Sequence, residues 1–288
     1  MYNQNLKFDT WRSSRMKYKL YTLGLFLIWI ICQVSFAATS EADKICCLKN
    51  AYKPYISKVT KDNRTQKIFF YMKSGQKILW QDKYNKTFEE KLASSSLADM
   101  LSQSYPAYQS IDKTPRFNHD PGRFRNTALF QAVYGNTQAA VEKHLVKVQW
   151  LPNTAKRLRL KPIYLLFNSR NGAAAALTRV SNALDRLPSS FKKYVLCPAG
   201  TFKWRRIAGT KRYSAHSYGI AIDINTAYSN YWRWDHKNHL SDLYFKYHNR
   251  IPAKIVSIFE RNHFIWGGCW YHYDTMHFEY RPEFFNGC

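Results

Sequence analysis

A short apolar strand between a histidine and an aspartate constrains this chain more than any other feature. In residues 214–225, SAHSYGIAIDIN, His216 precedes Asp223 by seven residues. Side chains alternate between the two faces of a strand. The three isoleucines therefore share a face that predicts burial, and Asp223 lies on the other face among small residues that leave room for a ligand. Alone, the pair is either surface decoration or part of a metal site, since a catalytic zinc usually takes three protein ligands.

The C-terminal segment supplies a candidate third ligand. WYHYDTMHFEYRPEFF contains Asp274, His277 and Glu279 within six residues. His216, Asp223 and His277 together make a two-histidine, one-carboxylate set that suits zinc. Zinc lowers the pKa of water to about 7, and a free carboxylate beside the metal would act as general base. Asp274 and Glu279 are both candidates: Glu279 shares a strand face with His277, whereas Asp274 requires a bend before the strand.

The apolar pattern predicts an α+β fold. Four segments have the apolar spacing of helices: 126–135, 137–151, 176–187 and 252–262. Three short runs have the pattern of strands: YVLCPAG, YGIAIDIN and MHFEY. Helices come first, and strands interrupted by helices follow. This order predicts a small, largely antiparallel sheet flanked by helices, with the zinc site on the face of the sheet.

The polar residues 38–115 precede this pattern as a separate N-terminal region of unknown role. Within it, two apolar segments flank the turn KSGQ and predict a hairpin over 64–84, and residues 96–105 predict a short helix. The pattern of polar and apolar residues changes at HDPGRFR, which begins at His119. We therefore expect a second domain over 116–288.

The first residues have the features of a secretory signal. Basic residues precede an apolar run at 20–34, and Ser35 and Ala37 are the small residues expected at a signal-peptidase site. The run has about 15 residues, whereas a membrane span needs roughly 20. We expect residues 1–37 to be removed and the mature chain to be exported to the periplasm or cell envelope, or secreted, without a stable membrane span. An uncleaved membrane anchor is the alternative.

The net charge indicates the kind of partner, and the cysteines indicate which disulfides an exported chain could form. The chain has 44 Lys and Arg against 19 Asp and Glu, a formal net charge of +25, which favours an anionic partner. No long basic run and no recognisable nucleic-acid motif is present, so with the export signal we expect no nucleic acid as a partner.

Export exposes cysteines to an oxidising compartment. The predicted disulfides join Cys269 to Cys288, and Cys46 or Cys47 to Cys197.

The two motifs together resemble the VanY-like D-alanyl-D-alanine carboxypeptidases. This family belongs to a wider group of zinc peptidases that includes endolysins cutting L-alanyl-D-glutamate bonds. Its signature is similar to S-x-H-x-x-G-x-A-x-D followed later by [DE]-x-x-H. The chain fills every position with Ser214, His216, Gly219, Ala221, Asp223, Asp274 and His277. The resemblance runs from about Pro121 to the C-terminus and does not cover residues 38–115.

The resemblance implies a role for each matching residue. It implies zinc on His216, Asp223 and His277, and it gives the base role to Asp274 rather than Glu279. The implied fold is that of a zinc peptidase catalytic domain over 116–288.

Further roles follow from the family on the residues around this set. The family uses an arginine to hold the substrate carbonyl or the developing oxyanion, and Arg205 and Arg206 in KWRRIAG are the candidates, with Arg205 preferred. Ser214 would hydrogen-bond substrate or shape its loop. Apart from the resemblance, His272 lies two residues before Asp274 and would orient substrate or the base. The chain departs from the family at His263, where a glycine is expected.

The expected function is that of an exported zinc metallopeptidase acting on peptidoglycan stem peptides, with the anionic cell wall as its partner. D-Ala-D-Ala carboxypeptidase activity is preferred. The alternative within this class is an endopeptidase that cuts L-Ala-D-Glu or a cross-link. The alternative of another class is a non-catalytic cell-wall-binding protein, which would be expected to lack a ligand or the base.

Overall fold

The chain folds into small antiparallel sheets with helices packed around them, which confirms the predicted α+β class. The computed structural model describes residues 40–109, 114–207, 209–236 and 246–285. The described residues from Glu41 onward form one compact unit. The predicted signal, residues 1–37, lies outside the described residues.

The elements follow the chain in two groups. The first group is α1 (Glu41–Ala51), β1 (Ile56–Lys61), β2 (Ile68–Met72), β3 (Lys77–Leu79), α2 (Phe88–Ala93), α3 (Leu97–Met100), α4 (Thr127–Tyr134) and α5 (Gln138–Glu142). The second group is β4 (Leu145–Trp150), α6 (Pro152–Arg157), β5 (Ile163–Asn168), α7 (Ala173–Asp185), α8 (Lys192–Val195), β6 (Ala221–Asp223), α9 (Trp232–Asp235), α10 (Ala253–Glu260), β7 (Phe264–Trp266) and β8 (His277–Tyr280).

The N-terminal region forms the first sheet, in the order β1–β2–β3. The predicted hairpin is present as β2 and β3, and the predicted short helix as α3. Phe70 and Met72 on one face of β2 are buried, and they join the same core as Phe130 of α4 and Leu177 of α7. The N-terminal region therefore packs on the core that carries the rest of the chain. The predicted boundary near residue 115 borders 110–113, which lie outside the described residues.

The second sheet pairs β4 with β5 and is covered by α7. The prediction of one helix over 137–151 is wrong in its second half, because the helix ends at Glu142 and β4 begins at Leu145. Val141, Leu145 and Val148 have helical spacing, but alternate burial at Val148 and Trp150 matches a strand that pairs with β5. The predicted helix over 176–187 is confirmed as the C-terminal part of α7, with Leu177, Val180 and Leu184 fully buried.

The third sheet has the order β6–β8–β7 and positions the signature residues. YGIAIDIN and MHFEY supply β6 and β8, as predicted, and they pair antiparallel with Asp223 directly opposite His277. YVLCPAG is not a regular strand: its first residues end α8, and only Gly200 makes an isolated bridge, to Asp223. The buried Lys192 ammonium holds that turn of α8 by donating to the carbonyls of Leu184 and Asp185.

Among the residues described, no helix has both the length and the apolar composition needed to cross a membrane. Cys47, Cys197 and Cys269 carry free thiols. The predicted pairing of Cys197 with an N-terminal cysteine is therefore wrong. Cys288, the predicted partner of Cys269, lies outside the described residues.

Candidate metal centre

His216 is held by a short 3₁₀ turn, Ala215–Tyr218, that enters β6. Ser214 caps this turn, and its hydroxyl accepts a hydrogen bond from the His216 backbone N–H at 3.3 Å. Gly219 ends the turn with φ +65°, and a Cβ there would lie 2.6 Å from Leu145 Cδ2. Glycine therefore meets both the backbone conformation and the close approach. The His216 imidazole is buried, and its Nδ1 lies 2.6 Å from the Thr201 carbonyl oxygen.

The strand register brings the other two predicted ligands to the same point. Asp223 of β6 lies opposite His277 of β8, and Asp223 Oδ1 is 3.0 Å from His277 Nδ1. Asp223 Oδ2 is 3.2 Å from His216 Nε2. The two imidazoles face each other, with His216 Nε2 3.3 Å from His277 Nδ1. One ligand atom from each residue therefore converges on a single point.

The spacing of these atoms fits zinc. A tetrahedral zinc with bonds of about 2.0–2.1 Å separates its ligand atoms by roughly 3.3 Å. Each histidine nitrogen lies near that distance from one oxygen of Asp223, at 3.0 Å from Oδ1 and 3.2 Å from Oδ2, and the two nitrogens are 3.3 Å apart. The residues present thus fit a zinc ion with three protein ligands.

The hydrogen-bond partners on the far side of each imidazole support the same reading. The Thr201 carbonyl can only accept, so Nδ1 of His216 carries the hydrogen and Nε2 presents its lone pair. The Glu279 carboxylate lies 3.5 Å from Nε2 of His277 and favours the hydrogen there, which leaves the Nδ1 lone pair toward Asp223. Two lone pairs and one carboxylate then meet at the same point, an arrangement that calls for a cation.

Electrostatics within this group follow from its burial and its charges. Burial opposes ionisation of Asp223, but His216 and His277 hold the pKa of this carboxyl far below its usual range. Burial lowers the pKa of His277, but hydrogen bonds with Asp223 and Glu279 outweigh it and raise that pKa to about 9. The carboxylate charges therefore favour positive charge at this point, which a cation would supply.

Asp274 lies beside these three residues, in a bend just before the strand of His277. The alternation of side chains along a strand had required such a bend for Asp274 to reach the site. Its backbone N–H donates to the Gly267 carbonyl at 3.0 Å, and its carbonyl accepts from the His277 N–H at 3.2 Å. Its Oδ1 is buried and has no hydrogen-bond partner among the described residues. Burial and the Asp223 charge raise the pKa of Asp274 to about 7. A buried carboxyl with this pKa can both accept and return a proton near neutral pH.

Glu279, the alternative base, is committed to other contacts. Arg125 donates to Glu279 through Nε at 2.8 Å and through Nη2 at 2.5 Å, and Arg281 Nη1 lies 3.2 Å away. Burial would raise the pKa of Glu279, but the charges of Arg125 and Arg281 hold it well below its usual range. The base role considered for Glu279 therefore does not fit the structure, and the residue instead supports His277.

The two candidate arginines occupy different positions. Both are exposed. The Arg206 guanidinium lies 5.1 Å from the centre of the Tyr213 ring and donates to the Lys211 carbonyl. The Arg205 backbone N–H donates to the hydroxyl of Ser217, in the turn that carries His216, at 3.0 Å. The oxyanion role of either arginine stays a prediction.

Ser214 and His272 are also near the group. The Ser214 hydroxyl is engaged as the cap of the His216 turn, which supports the loop-shaping role. His272 lies two residues before Asp274, with its Nδ1 2.7 Å from Asp120 Oδ2 and its backbone N–H donating to Asp120 Oδ1 at 3.0 Å. Asp120 thus fixes the His272 ring.

Sequence reasoning missed several residues that support the site. Arg125 and Asp120 come from HDPGRFR. The charged residues concentrated there, at the point where the pattern of polar and apolar residues changes, were the feature that could have indicated them. Arg123 comes from the same stretch and pairs with Asp120 at 2.5 Å. Thr201 contributes a backbone carbonyl, which no side-chain pattern could reveal.

Comparison with known proteins supports the family resemblance. A family model described as D-alanyl-D-alanine carboxypeptidase matches residues 208–280. No curated protein and no solved structure matches the chain. The matched segment contains all three converging ligands and Asp274, and the family is a zinc-dependent group of peptidases. Residues 208–280 are thus similar to the VanY-like D-alanyl-D-alanine carboxypeptidases.

Proposed function

We propose that this protein is a zinc peptidase that hydrolyses the stem peptides of peptidoglycan, most specifically as a D-Ala-D-Ala carboxypeptidase. One observation carries the proposal: His216, Asp223 and His277 converge at zinc spacing, and the buried, unpartnered carboxyl of Asp274 lies beside them. A wall-binding protein without activity would have no use for the unpartnered carboxyl.

The residues of the chain divide the chemistry among them. Zinc on the three ligands would supply Lewis-acid polarisation of the scissile carbonyl and lower the pKa of water. Asp274 takes the proton of the attacking water and passes it to the leaving amine, a role that its pKa near 7 suits. Arg205 stabilises the oxyanion that develops on the substrate. Thr201 and Glu279 hold the two histidines in the orientation that presents the ligand nitrogens.

The proposed setting is the cell envelope. The N-terminal signal predicted from the sequence would export the chain, and the excess of Lys and Arg over Asp and Glu favours retention on an anionic wall. The partner is then peptidoglycan itself. The cell-envelope location and the peptidoglycan partner both depend on export. Expression of the full-length chain tests export: the chain should be secreted with residues 1–37 removed.

A muropeptide digest tests the activity. Purified protein is incubated with muropeptides that carry pentapeptide stems, and the products are identified by mass spectrometry. We expect loss of a single alanine, which His216→Ala or Asp274→Ala abolishes and a chelator removes. Glu142→Gln, which changes an exposed residue, is the matched control and should remain active.

The products also decide between activities. Cleavage after L-Ala or at a cross-link, with no loss of the terminal alanine, would replace the carboxypeptidase by an endopeptidase. Undiminished product from both the His216 and the Asp274 variants would refute the peptidase proposal for this site.

A further inference from the structure

The exposed apolar side chains of the protein are concentrated in one short part of the chain, residues 146–166. Every large aliphatic side chain that is exposed among the described residues lies there: Val146, Leu158, Leu160 and Leu166. Tyr164, which is 54% exposed, adds an aromatic ring. Single exposed apolar side chains are ordinary, but several in one place mark a surface that another molecule covers.

The register of β4 and β5 places part of this group on the outer face of their sheet. Leu166 lies opposite Lys147, and Tyr164 lies opposite Gln149, and all four side chains are exposed. On each strand, the residue that lies between these neighbours is buried, as the alternation of side chains requires. The sheet therefore presents a mixed apolar and polar face to solvent.

The end of α6 and the loop that leads into β5 supply the remaining leucines. All seven residues of KRLRLKP, 156–162, are exposed, and Leu158 and Leu160 are each 47% exposed. The backbone here is hydrogen-bonded: the Leu158 N–H donates to the Thr154 carbonyl and the Leu160 N–H to the Ala155 carbonyl, both at 2.9 Å. A closed turn thus holds the two leucines in solvent.

The charges around these leucines have one sign. Residues 143–184 contain eight Lys and Arg and no Asp or Glu. Four of the cations alternate with the leucines in the exposed loop, and none of the four forms an ion pair with a described residue: Lys156, Arg157, Arg159 and Lys161. A concentration of unpaired cations of this kind attracts an anionic surface.

We propose that residues 156–162, together with the outer face of β4 and β5, form a basic apolar surface that binds peripherally to an anionic phospholipid membrane. The leucines would enter the boundary between headgroups and acyl chains. The Lys and Arg side chains, which have long apolar stems, would keep their charges at the lipid phosphates. The inference goes beyond the proposed function, because it uses no residue of the metal centre.

The mixture of side chains favours lipid over other anionic partners. An anionic polymer would pair with the cations and leave Leu158 and Leu160 in water. A protein partner fits less well, because charged residues are depleted at the centre of protein interfaces. A lipid surface satisfies both kinds of side chain at once, since its anionic headgroups lie directly above its apolar chains.

The same strand pair connects this surface to the candidate metal centre. At the end of β5, the Asn168 backbone N–H donates to the Gly219 carbonyl at 2.8 Å, and its side-chain amide donates to the Tyr218 carbonyl at 3.0 Å. Both acceptors belong to the turn that carries His216. Five residue steps of about 3.3 Å separate Ile163 from Asn168, so membrane binding would place this turn within roughly 20 Å of the lipid surface.

Co-sedimentation with lipid vesicles tests the proposal. The chain from residue 38, the form expected after export, retains the compact unit described above and lacks the apolar run at 20–34. It is mixed with vesicles of phosphatidylcholine, or of equal parts phosphatidylcholine and phosphatidylglycerol. We expect the anionic vesicles to be bound more tightly by roughly tenfold or more.

Two variants separate the apolar and the charged contributions. Leu158→Ser/Leu160→Ser should weaken binding to the anionic vesicles by roughly tenfold or more, because both apolar side chains are lost from the headgroup boundary. Arg159→Gln/Lys161→Gln should weaken it by a similar factor and reduce its dependence on ionic strength.

The matched control is Lys61→Gln/Lys67→Gln, which removes two charges from exposed side chains where β1 turns into β2 and should bind as the parent protein does. Unchanged binding by the leucine variant, equal losses in the control and the Arg159/Lys161 variant, or equal binding of the parent to both vesicles would overturn the lipid surface. Self-association that the leucine substitutions abolish, without vesicle binding, would overturn it in favour of a second copy of the chain.

The leucine variant also keeps this test separate from the proposed reaction. Its zinc content and its hydrolysis of soluble muropeptides should equal those of the parent, because neither leucine belongs to the metal centre. A parent protein that binds anionic vesicles but hydrolyses no muropeptide would refute the reaction and support the membrane surface.

Discussion

Single residues around His277 support the candidate metal centre from outside. Arg125 bonds the buried Glu279 carboxylate, and Glu279 in turn lies 3.5 Å from His277 Nε2. Residues that orient a ligand in this way typically contribute ten- to a hundred-fold to metal affinity. Spacing does not predict Arg125 as a supporting residue, because it lies far from the signature in sequence; the concentrated charge of HDPGRFR is its one signal.

Arg125→Gln should therefore lower zinc affinity by roughly 10- to 100-fold, because Glu279 then loses the partner that fixes it against His277. Competition with a chromogenic chelator measures the dissociation constant. Arg179→Gln, at an exposed arginine, is the control. Equal zinc affinity in both variants and the parent protein would contradict this support.

His263 is a residue where the departure from the family pattern has a visible backbone consequence. Its φ is +65°, in the left-handed region that glycine adopts without penalty. The residue is held there because its N–H donates to the Glu260 carbonyl and its carbonyl accepts from the Arg281 N–H, both at 2.9 Å. The sequence comparison with the family pointed to the right position.

His263→Gly should accordingly be more stable than His263→Ala by about 1 kcal/mol, since alanine keeps the left-handed strain and glycine relieves it. Urea unfolding of the two variants measures the difference, and both lose the same imidazole contacts. Equal stabilities, or a more stable alanine variant, would show that the backbone at this position is not strained.

Among the helices and strands, those with an unambiguous apolar spacing could be predicted from the sequence. The strands of the signature and helix α7 were predicted because their apolar residues fit one period only. Strand β4 was missed because Val141, Leu145 and Val148 match a helical spacing that crosses the helix end at Glu142. Pairing with β5, which is remote in sequence, decides the outcome.

Helix α6 illustrates a cap that another element supplies. Its own N-cap residue Leu151 makes no side-chain cap. Instead, Asp185 at the end of α7 accepts from the backbone N–H groups of Asn153 at 2.7 Å and Thr154 at 2.8 Å. Burial opposes ionisation of Asp185, but these hydrogen bonds lower its pKa.

Asp185→Asn should destabilise the fold by about 1 kcal/mol at neutral pH, as for a lost cap. Because the folded pKa of Asp185 is depressed, its contribution is fully present above the unfolded pKa of about 3.9 and is lost as pH falls through the lower folded value. Urea unfolding of both proteins from pH 7 down to the acid limit measures this. A difference that does not shrink toward acid pH would contradict the assignment.

At the scale of the whole molecule, the N-terminal region and the peptidase signature share buried polar contacts as well as a core. The Tyr105 hydroxyl donates to Glu260 of α10 at 2.7 Å and accepts from the Trp266 backbone N–H of β7 at 2.9 Å. Tyr52 donates to Glu283 at 2.9 Å. The sequence suggested that residues 38–115 form a separate region, because a polar composition does not indicate contacts between residues far apart in sequence.

Tyr105→Phe should cost about 1–3 kcal/mol of unfolding free energy, because it leaves the buried Glu260 carboxyl and the Trp266 N–H without their shared partner. Tyr84→Phe, at a tyrosine that is 74% exposed, is the control and should change little. Chemical denaturation compares the two. Equal effects would mean that the Tyr105 contacts contribute nothing to joining the two parts.

On the proposed function, His216, Asp223 and His277 bind one zinc ion together. Metal analysis by mass spectrometry on the purified, zinc-equilibrated and desalted protein tests it most directly. We predict one zinc per chain in the parent protein and well below one in each of the three single alanine variants, with Glu142→Gln retaining the full content. A parent protein that binds no zinc, or variants that retain as much as the parent, would show that these three residues do not form a zinc site.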